Sequence, residues 1–164
     1  MPSTEESAMP RSGPAGPSGS PRFRPIVVFS GDDAASATGS SQAVRLLVVE
    51  DDYLIGSQIM DALQDAGFEV VAVAASAEEA IAVARSEPVS IAIMDVRLIG
   101  DRDGIDCALE LFREHEIRCI FATAHGDEDV RARARPAKPL GWIQKPYSMA
   151  SLIANVRKVL DASD

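Results

Sequence analysis

The chain is poor in several things at once. It has two cysteines, one tryptophan and only 5% aromatic residues in 164 positions. Two cysteines cannot build a disulfide scaffold, and Cys107 and Cys119 lie within apolar runs, where a free thiol acts as a small buried hydrophobe in a reduced chain. Lysine is scarce: thirteen of the sixteen cationic side chains are arginine, leaving Lys138, Lys145 and Lys158. Any chemistry that needs an amine has three candidates. Positive charge is short overall, and the formal net charge of -9 argues against general binding to nucleic acid or to an anionic membrane. No stretch approaches the roughly 18–20 uninterrupted apolar residues of a membrane span. The run Ile26-Val27-Val28-Phe29 is too short for a signal-peptide core, and Glu5 and Glu6 precede it. A soluble, cytoplasmic protein is expected.

What is present divides into two parts. Residues 1–43 interleave Pro2, Pro10, Pro14, Pro17, Pro21 and Pro25 with Ser, Gly and Ala. Such a stretch buries too little apolar surface to offset its ordering entropy, so it is expected to be a disordered tail. Residues 44–164 suit one domain of ordinary size, and their pattern alternates between strand and helix periodicity.

The spacing predicts strands at Arg45 to Val49, Glu69 to Ala74, Ser90 to Met94, Arg118 to Ala122 and Trp142 to Gln144. Between them, Leu54, Ile55, Ile59, Met60 and Leu63 mark a helix over 53–66 that Gly67 stops. Ser76-Ala77-Glu78-Glu79 has the form of a capping box opening a helix to about Ser86, ahead of Pro88. Ile105, Ala108, Leu109 and Phe112 mark a helix from Gly104 to Glu114. Weaker signals place a short helix over 127–134, and Ser148 to Leu160 reads as a closing amphipathic helix. Five strand–helix units of this kind imply an α/β fold: a five-stranded parallel sheet, doubly wound, with helices on both faces.

In such a sheet, ligands bind at the carboxyl ends of the strands. Four of the five strands run into polar groups there: Glu50, Asp51 and Asp52 after the first, Asp95 after the third, Thr123 after the fourth and Lys145 after the fifth. Each alone reads as a cap or a turn, and Asp52 is assigned to the N-cap of the first helix. Together they converge. Carboxylates brought close repel one another and call for a cation; oxygen ligands without His or Cys favour a hard ion such as Mg²⁺. A lysine ammonium and a threonine hydroxyl suit a phosphoryl group, and a screened carboxylate can act as a nucleophile. The constellation points to phosphoryl transfer onto aspartate.

Val48-Val49-Glu50-Asp51-Asp52, Met94-Asp95-Val96-Arg97, Asp103-Gly104, Phe121-Ala122-Thr123 and Lys145-Pro146, in this order and spacing, resemble the receiver domain of bacterial two-component response regulators. The likeness covers about residues 45–161 and is closest to the stand-alone, chemotaxis-regulator type. It implies a flavodoxin-like strand order of 2-1-3-4-5 and assigns roles by position. Asp95 would accept the phosphoryl group. Asp51 would hold Mg²⁺ directly, Glu50 through water, and Asp95 and the backbone carbonyl of Arg97 would complete the metal site. Thr123 and Lys145 would bind the phosphoryl group, Thr123 and Trp142 would act as the switch pair, and the Lys145–Pro146 peptide would be cis.

The resemblance implies a phospho-acceptor rather than a turnover enzyme, one that catalyses its own phosphorylation and slow dephosphorylation. Its donor would be a sensor histidine kinase or histidine phosphotransfer protein. Its downstream protein partner would read the face formed by the fourth helix, fifth strand and fifth helix. Neither nucleic acid nor membrane is expected as a partner, and the chain is expected as a monomer or weak homodimer.

Three departures stand out: Trp142 is bulkier than the usual switch Tyr or Phe. Ile99 stands where many members carry Pro, in a loop about one residue longer than usual. Phe121-Ala122-Thr123 is followed by Ala124-His125-Gly126 rather than by the continuation of one subgroup's signature. Two rival readings are a receiver serving only as a binding module and an aspartyl-phosphate phosphatase. The second resembles a DxD pattern whose later Asp is a general acid, and here that position is Arg97. Arg131, Arg133, Arg135 and Lys138 form a basic run that reads as a solvated face, and His125 as an exposed loop residue.

Overall fold

The computed structural model describes residues 43–163; the expected tail over 1–43 lies outside them except for its last residue. Five strands, β1 (Arg45–Val49), β2 (Glu69–Ala74), β3 (Ile91–Asp95), β4 (Arg118–Thr123) and β5 (Gly141–Gln144), alternate with α1 (Tyr53–Asp65), α2 (Ala77–Ser86), α3 (Gly104–His115), α4 (Glu128–Ala134) and α5 (Met149–Asp161). All strand pairs are parallel and the order is β2-β1-β3-β4-β5. This is the expected doubly wound, flavodoxin-like sheet.

The central strands carry unbroken apolar runs between their polar ends because both faces are covered. Leu46, Val48, Ile93 and Ile120 join Ile59 and Leu63 of α1 and Leu152 and Val156 of α5 in one core layer. Leu47, Val49, Met94 and Phe121 face the other way, against Ala80, Ile81, Ile105 and Leu111 of α2 and α3. Cys107 and Cys119 are fully buried in this second layer. Burial pushes both thiols up, that of Cys107 to about 12, so they remain protonated.

Helix ends follow local chemistry. Asp52 caps α1, accepting from the amides of Leu54 and Ile55, and Gly67 takes the left-handed φ of +92° that closes it. Ser76 accepts from the Glu79 amide. The Glu79 carboxylate, however, reaches back to the Ala75 amide at 2.8 Å, one residue ahead of the expected partner. A reciprocal capping box forms at α3 instead, between Asp103 and Asp106.

On two helices, hydrophobic spacing and burial differ. Leu54 and Ile55 are not core: they are 71% and 37% exposed. The buried stripe of α1 is Gly56, Ile59 and Leu63, and Leu54 lies two residues from Gly56, about 200° around the helix. On α3 the fully buried positions are Ile105, Cys107, Ala108 and Leu111, whereas Leu109 and Phe112 are only partly covered, because this helix packs sideways on α2 and α4 as well as on the sheet. The short helix expected over 127–134 is α4, Glu128–Ala134, and it passes into a 3-10 turn over Arg135–Ala137 where Pro136 cannot continue an α-helical bond.

Candidate functional site

The parallel sheet brings the carboxyl ends of β1, β3, β4 and β5 to one edge, and the residues there meet. One carboxylate oxygen each from Glu50, Asp51 and Asp95 lies within 4.8 Å of the others. Glu50 and Asp95 are 4% and 7% exposed, a depth that acidic groups rarely reach unless paired. Two neighbours hold Asp95: the Lys145 ammonium at 2.8 Å from Oδ2 and the Arg97 amide at 3.0 Å from Oδ1. Lys145 also lies 3.8 Å from Glu50, and the Glu50 carboxylate accepts from the Asp52 amide at 3.1 Å.

The electrostatics follow from that crowding. Burial, with the nearby Asp95 charge adding to it, pushes Glu50 up to about 7 against the opposing pull of the Asp52 amide and Lys145. Burial disfavours the Lys145 ammonium, but its bond to Asp95 and the charge of Glu50 outweigh this and raise it above its ordinary value. One ammonium thus pairs with two of the three clustered carboxylates. The donor set is oxygen only, crowded and short of positive charge, which fits a hard divalent ion.

Two glycines make the pocket possible. A Cβ on Gly104 would fall 1.9 Å from the Asp95 carbonyl oxygen. One on Gly56 would meet Val73 Cγ1 at 2.7 Å while also approaching Glu50. The first turn of α3 and the body of α1 therefore lie directly against the strand ends that carry the acids. Gly104 was within the Asp-Gly pair, whereas the sole signal at Gly56 is a glycine inside an otherwise helical pattern.

Thr123 is 7% exposed and turned into its own loop: its hydroxyl donates to the His125 carbonyl at 2.8 Å and accepts from the His125 amide at 3.3 Å. The His125 side chain is exposed. Trp142 is half-buried, stacked on Phe121 with ring centroids 4.8 Å apart, and carries the Arg131 guanidinium on its ring at 4.8 Å. The Lys145–Pro146 peptide is cis.

The basic run does more than meet solvent. Arg133 pairs with Asp103 at 2.9 Å and Asp106 at 3.4 Å, Arg135 with Glu128 at 2.7 Å, and Lys138 lies over the Phe112 ring. Sequence reading missed these partners because they lie on other elements or two turns away.

Fold and site together define a flavodoxin-like α/β protein with an acidic pocket, a lysine and a threonine at the strand ends. Residues 46–157 match the response regulator receiver domain family, and the chain belongs to that family. The family as a whole binds Mg²⁺ through acidic residues, and this chain has the corresponding cluster. It is 34% identical over 109 residues to the transcriptional regulatory protein PdtaR of Mycobacterium tuberculosis, covering 66% of this chain and 53% of that protein. It is 27% identical over 130 residues to the phyllosphere-induced regulator PhyR of Methylorubrum extorquens, covering 79% of this chain and 48% of that protein. The chain thus spans about half the length of these curated relatives. A CheY-like receiver domain protein from Methanospirillum hungatei superposes with a TM-score of 0.67 at 25% identity, covering 73% of this chain and 95% of that one. The receiver domain of a modulated diguanylate cyclase from Desulfovibrio desulfuricans gives 0.66 at 28% identity, with coverage of 73% and 95%. Among the described residues no helix is long and apolar enough to cross a membrane.

Proposed function

We propose that this chain accepts a phosphoryl group on Asp95 from a phosphohistidine donor, a sensor histidine kinase or histidine phosphotransfer protein, and signals or relays phosphate through protein contacts in the cytoplasm. The observation that carries this reading is the meeting of Glu50, Asp51 and Asp95 within 4.8 Å, with the Lys145 ammonium 2.8 Å from the Asp95 carboxylate.

In the transfer, one Asp95 oxygen forms a bond to phosphorus as the phosphorus–nitrogen bond breaks, and the electron pair of that bond stays on the donor imidazole. Asp51, Asp95 and the Arg97 carbonyl would hold Mg²⁺, with Glu50 acting through water. When bound, the ion supplies positive charge that screens the carboxylates and stabilises phosphoryl oxygens. Lys145 already lies on the reacting carboxylate and keeps its ammonium there as phosphoryl charge arrives. Thr123 has to give up its bond to the His125 carbonyl before its hydroxyl can reach a phosphoryl oxygen. That rotation frees space beside Phe121 and Trp142 and alters the face formed by α4, β5 and α5. The acyl phosphate is then lost slowly to water, so the protein is a stoichiometric acceptor and not a turnover enzyme.

Incubation with acetyl phosphate and Mg²⁺ followed by intact-mass measurement tests this. Wild type gains one phosphoryl group and Asp95→Asn gains none. A wild type without mass gain would instead leave a receiver that acts only by binding.

A further inference from the structure

Among the described residues, two buried side-chain polar atoms have no hydrogen-bond partner in the protein: His115 Nε2, at the end of α3, and the Tyr147 hydroxyl. A buried polar atom left unpaired is destabilising, so each such case asks for a cause.

Three observations place Tyr147 against the acidic pocket. It stands two residues after Lys145, whose ammonium is 2.8 Å from the Asp95 carboxylate. The charges that reach its phenol are those of Lys145, Glu50 and Asp95. Its ring packs in the core layer that holds Val48 and Val73. Glu50 turns to this same layer. Two residues on from Val48, it keeps the alternation of the strand, and a Cβ on Gly56 would meet both Val73 Cγ1 at 2.7 Å and Glu50 Cβ at 3.7 Å.

Glu50 has room for a further donor. Its Oε1 accepts from the Asp52 amide at 3.1 Å. Its Oε2 lies 3.8 Å from the Lys145 ammonium, beyond hydrogen-bond length, and an ionised carboxylate offers about four acceptor sites. Burial holds the phenol above its ordinary value against the opposing charge of Lys145. Near neutrality it therefore keeps its proton and can donate.

We propose that Tyr147 is a positioning residue of the metal pocket, its hydroxyl donating to the Glu50 carboxylate when a divalent cation loads the site. The inference rests on the Mg²⁺ reading above and adds a group outside its ligand set. With a divalent charge in the pocket, Glu50 no longer depends on the ammonium it shares with Asp95. It can trade a long ion pair for a short hydrogen bond to its charged oxygen. Holding Glu50 in one position then removes part of the ordering cost of binding the ion.

Tyr147→Phe keeps the ring and removes only the hydroxyl. Isothermal titration of the full chain with MgCl₂ should show about tenfold weaker binding in this variant, the loss expected for a hydrogen bond to a charged group. Without Mg²⁺ the variant should melt no lower than wild type, because the atom it loses makes no hydrogen bond to the protein. The chain has two tyrosines, so ¹³Cζ labelling gives two resonances, and the one absent from Tyr147→Phe is Tyr147. It should move when Mg²⁺ is added to wild type and stay nearly fixed in Asp51→Asn. Equal Mg²⁺ affinity in wild type and Tyr147→Phe overturns the proposal, as does a Tyr147 resonance that Mg²⁺ leaves unmoved in wild type. A variant that melts lower without Mg²⁺ also overturns it, since the hydroxyl then serves the fold itself. Absence of Mg²⁺ binding to wild type overturns this inference together with the metal reading. If acetyl phosphate adds no phosphoryl group to wild type while Mg²⁺ affinity still falls in Tyr147→Phe, phospho-acceptance fails and the positioning role stands.

Discussion

Gly104 lies directly beneath the carbonyl of Asp95, so close that a Cβ at position 104 would stand 1.9 Å from that oxygen. Its own amide donates to the Val96 carbonyl at 2.8 Å, which locks the start of α3 against the end of β3. The contact joins the residue proposed to take the phosphoryl group to the end of the loop that follows it.

Gly104→Ala is expected to be strongly destabilising, because the nearest obstacle is backbone and not a side chain that can rotate away. Overpacking a filled site costs roughly 1–3 kcal/mol, which lowers the melting temperature by several degrees in a domain of this size. Thermal unfolding checks it. A melting temperature within a degree of wild type would mean the first turn of α3 yields freely.

Arg133 ties α4 to the cap of α3 through Asp103. Burial opposes ionisation of Asp103, but the Arg133 guanidinium and the Asp106 and Ile105 amides outweigh it and hold the carboxyl below its ordinary value. A depressed carboxyl contributes stability above its unfolded pKa and loses it as pH falls through the folded one. Asp103→Asn keeps a capping oxygen but removes the charge. Its stability deficit is therefore expected to be about 0.5–1 kcal/mol near neutrality, given the exposure of the pair, to begin to shrink as pH falls below about 4, and to vanish once pH is below the lowered folded value. Denaturant unfolding at several pH values measures it. A deficit that persists unchanged at low pH would assign the loss to capping alone.

The reach of sequence reading is uneven across these residues. The strands were legible because β1, β3 and β4 are covered on both faces and so carry unbroken apolar runs. Glu50, Asp95, Thr123 and Lys145 were legible because strand ends in a parallel sheet share an edge, so one-dimensional order already fixes their neighbourhood. The exposure of Leu54 was not, since hydrophobic spacing in a first helical turn does not reveal where the sheet ends. The bonds of Arg133 to Asp103 and of Arg131 to the Trp142 ring span 30 and 11 positions, and nothing local in sequence encodes which carboxylate or ring an arginine will find.

Mg²⁺ is expected to raise the melting temperature of the wild type, because an ion that binds only the folded state stabilises it by mass action and here also relieves repulsion among Glu50, Asp51 and Asp95. Asp51→Asn should remain folded and lose most of that increment, since its carboxylate is a proposed direct ligand and is less buried than Glu50. Differential scanning calorimetry with and without Mg²⁺, with K⁺ at matched ionic strength as the control, checks it. An equal rise in both proteins would place the ion elsewhere.

Trp142 gives the proposed switch its own reporter. It is the chain's single tryptophan, stacked on Phe121, which stands two residues before Thr123, with Arg131 on its ring. If Thr123 rotates toward a phosphorylated Asp95, the space beside Phe121 changes and so does the indole environment. Acetyl phosphate with Mg²⁺ should therefore alter Trp142 emission in wild type and leave Asp95→Asn unchanged. Arg131→Ala removes a cation–π contact worth about 0.5–1 kcal/mol at an exposed site. Its unphosphorylated emission should lie between the two wild-type states, with stability otherwise close to wild type. Emission that stays constant while the intact mass shows phosphorylation would make Trp142 a fixed part of the core. The signal would then leave Asp95 by another route.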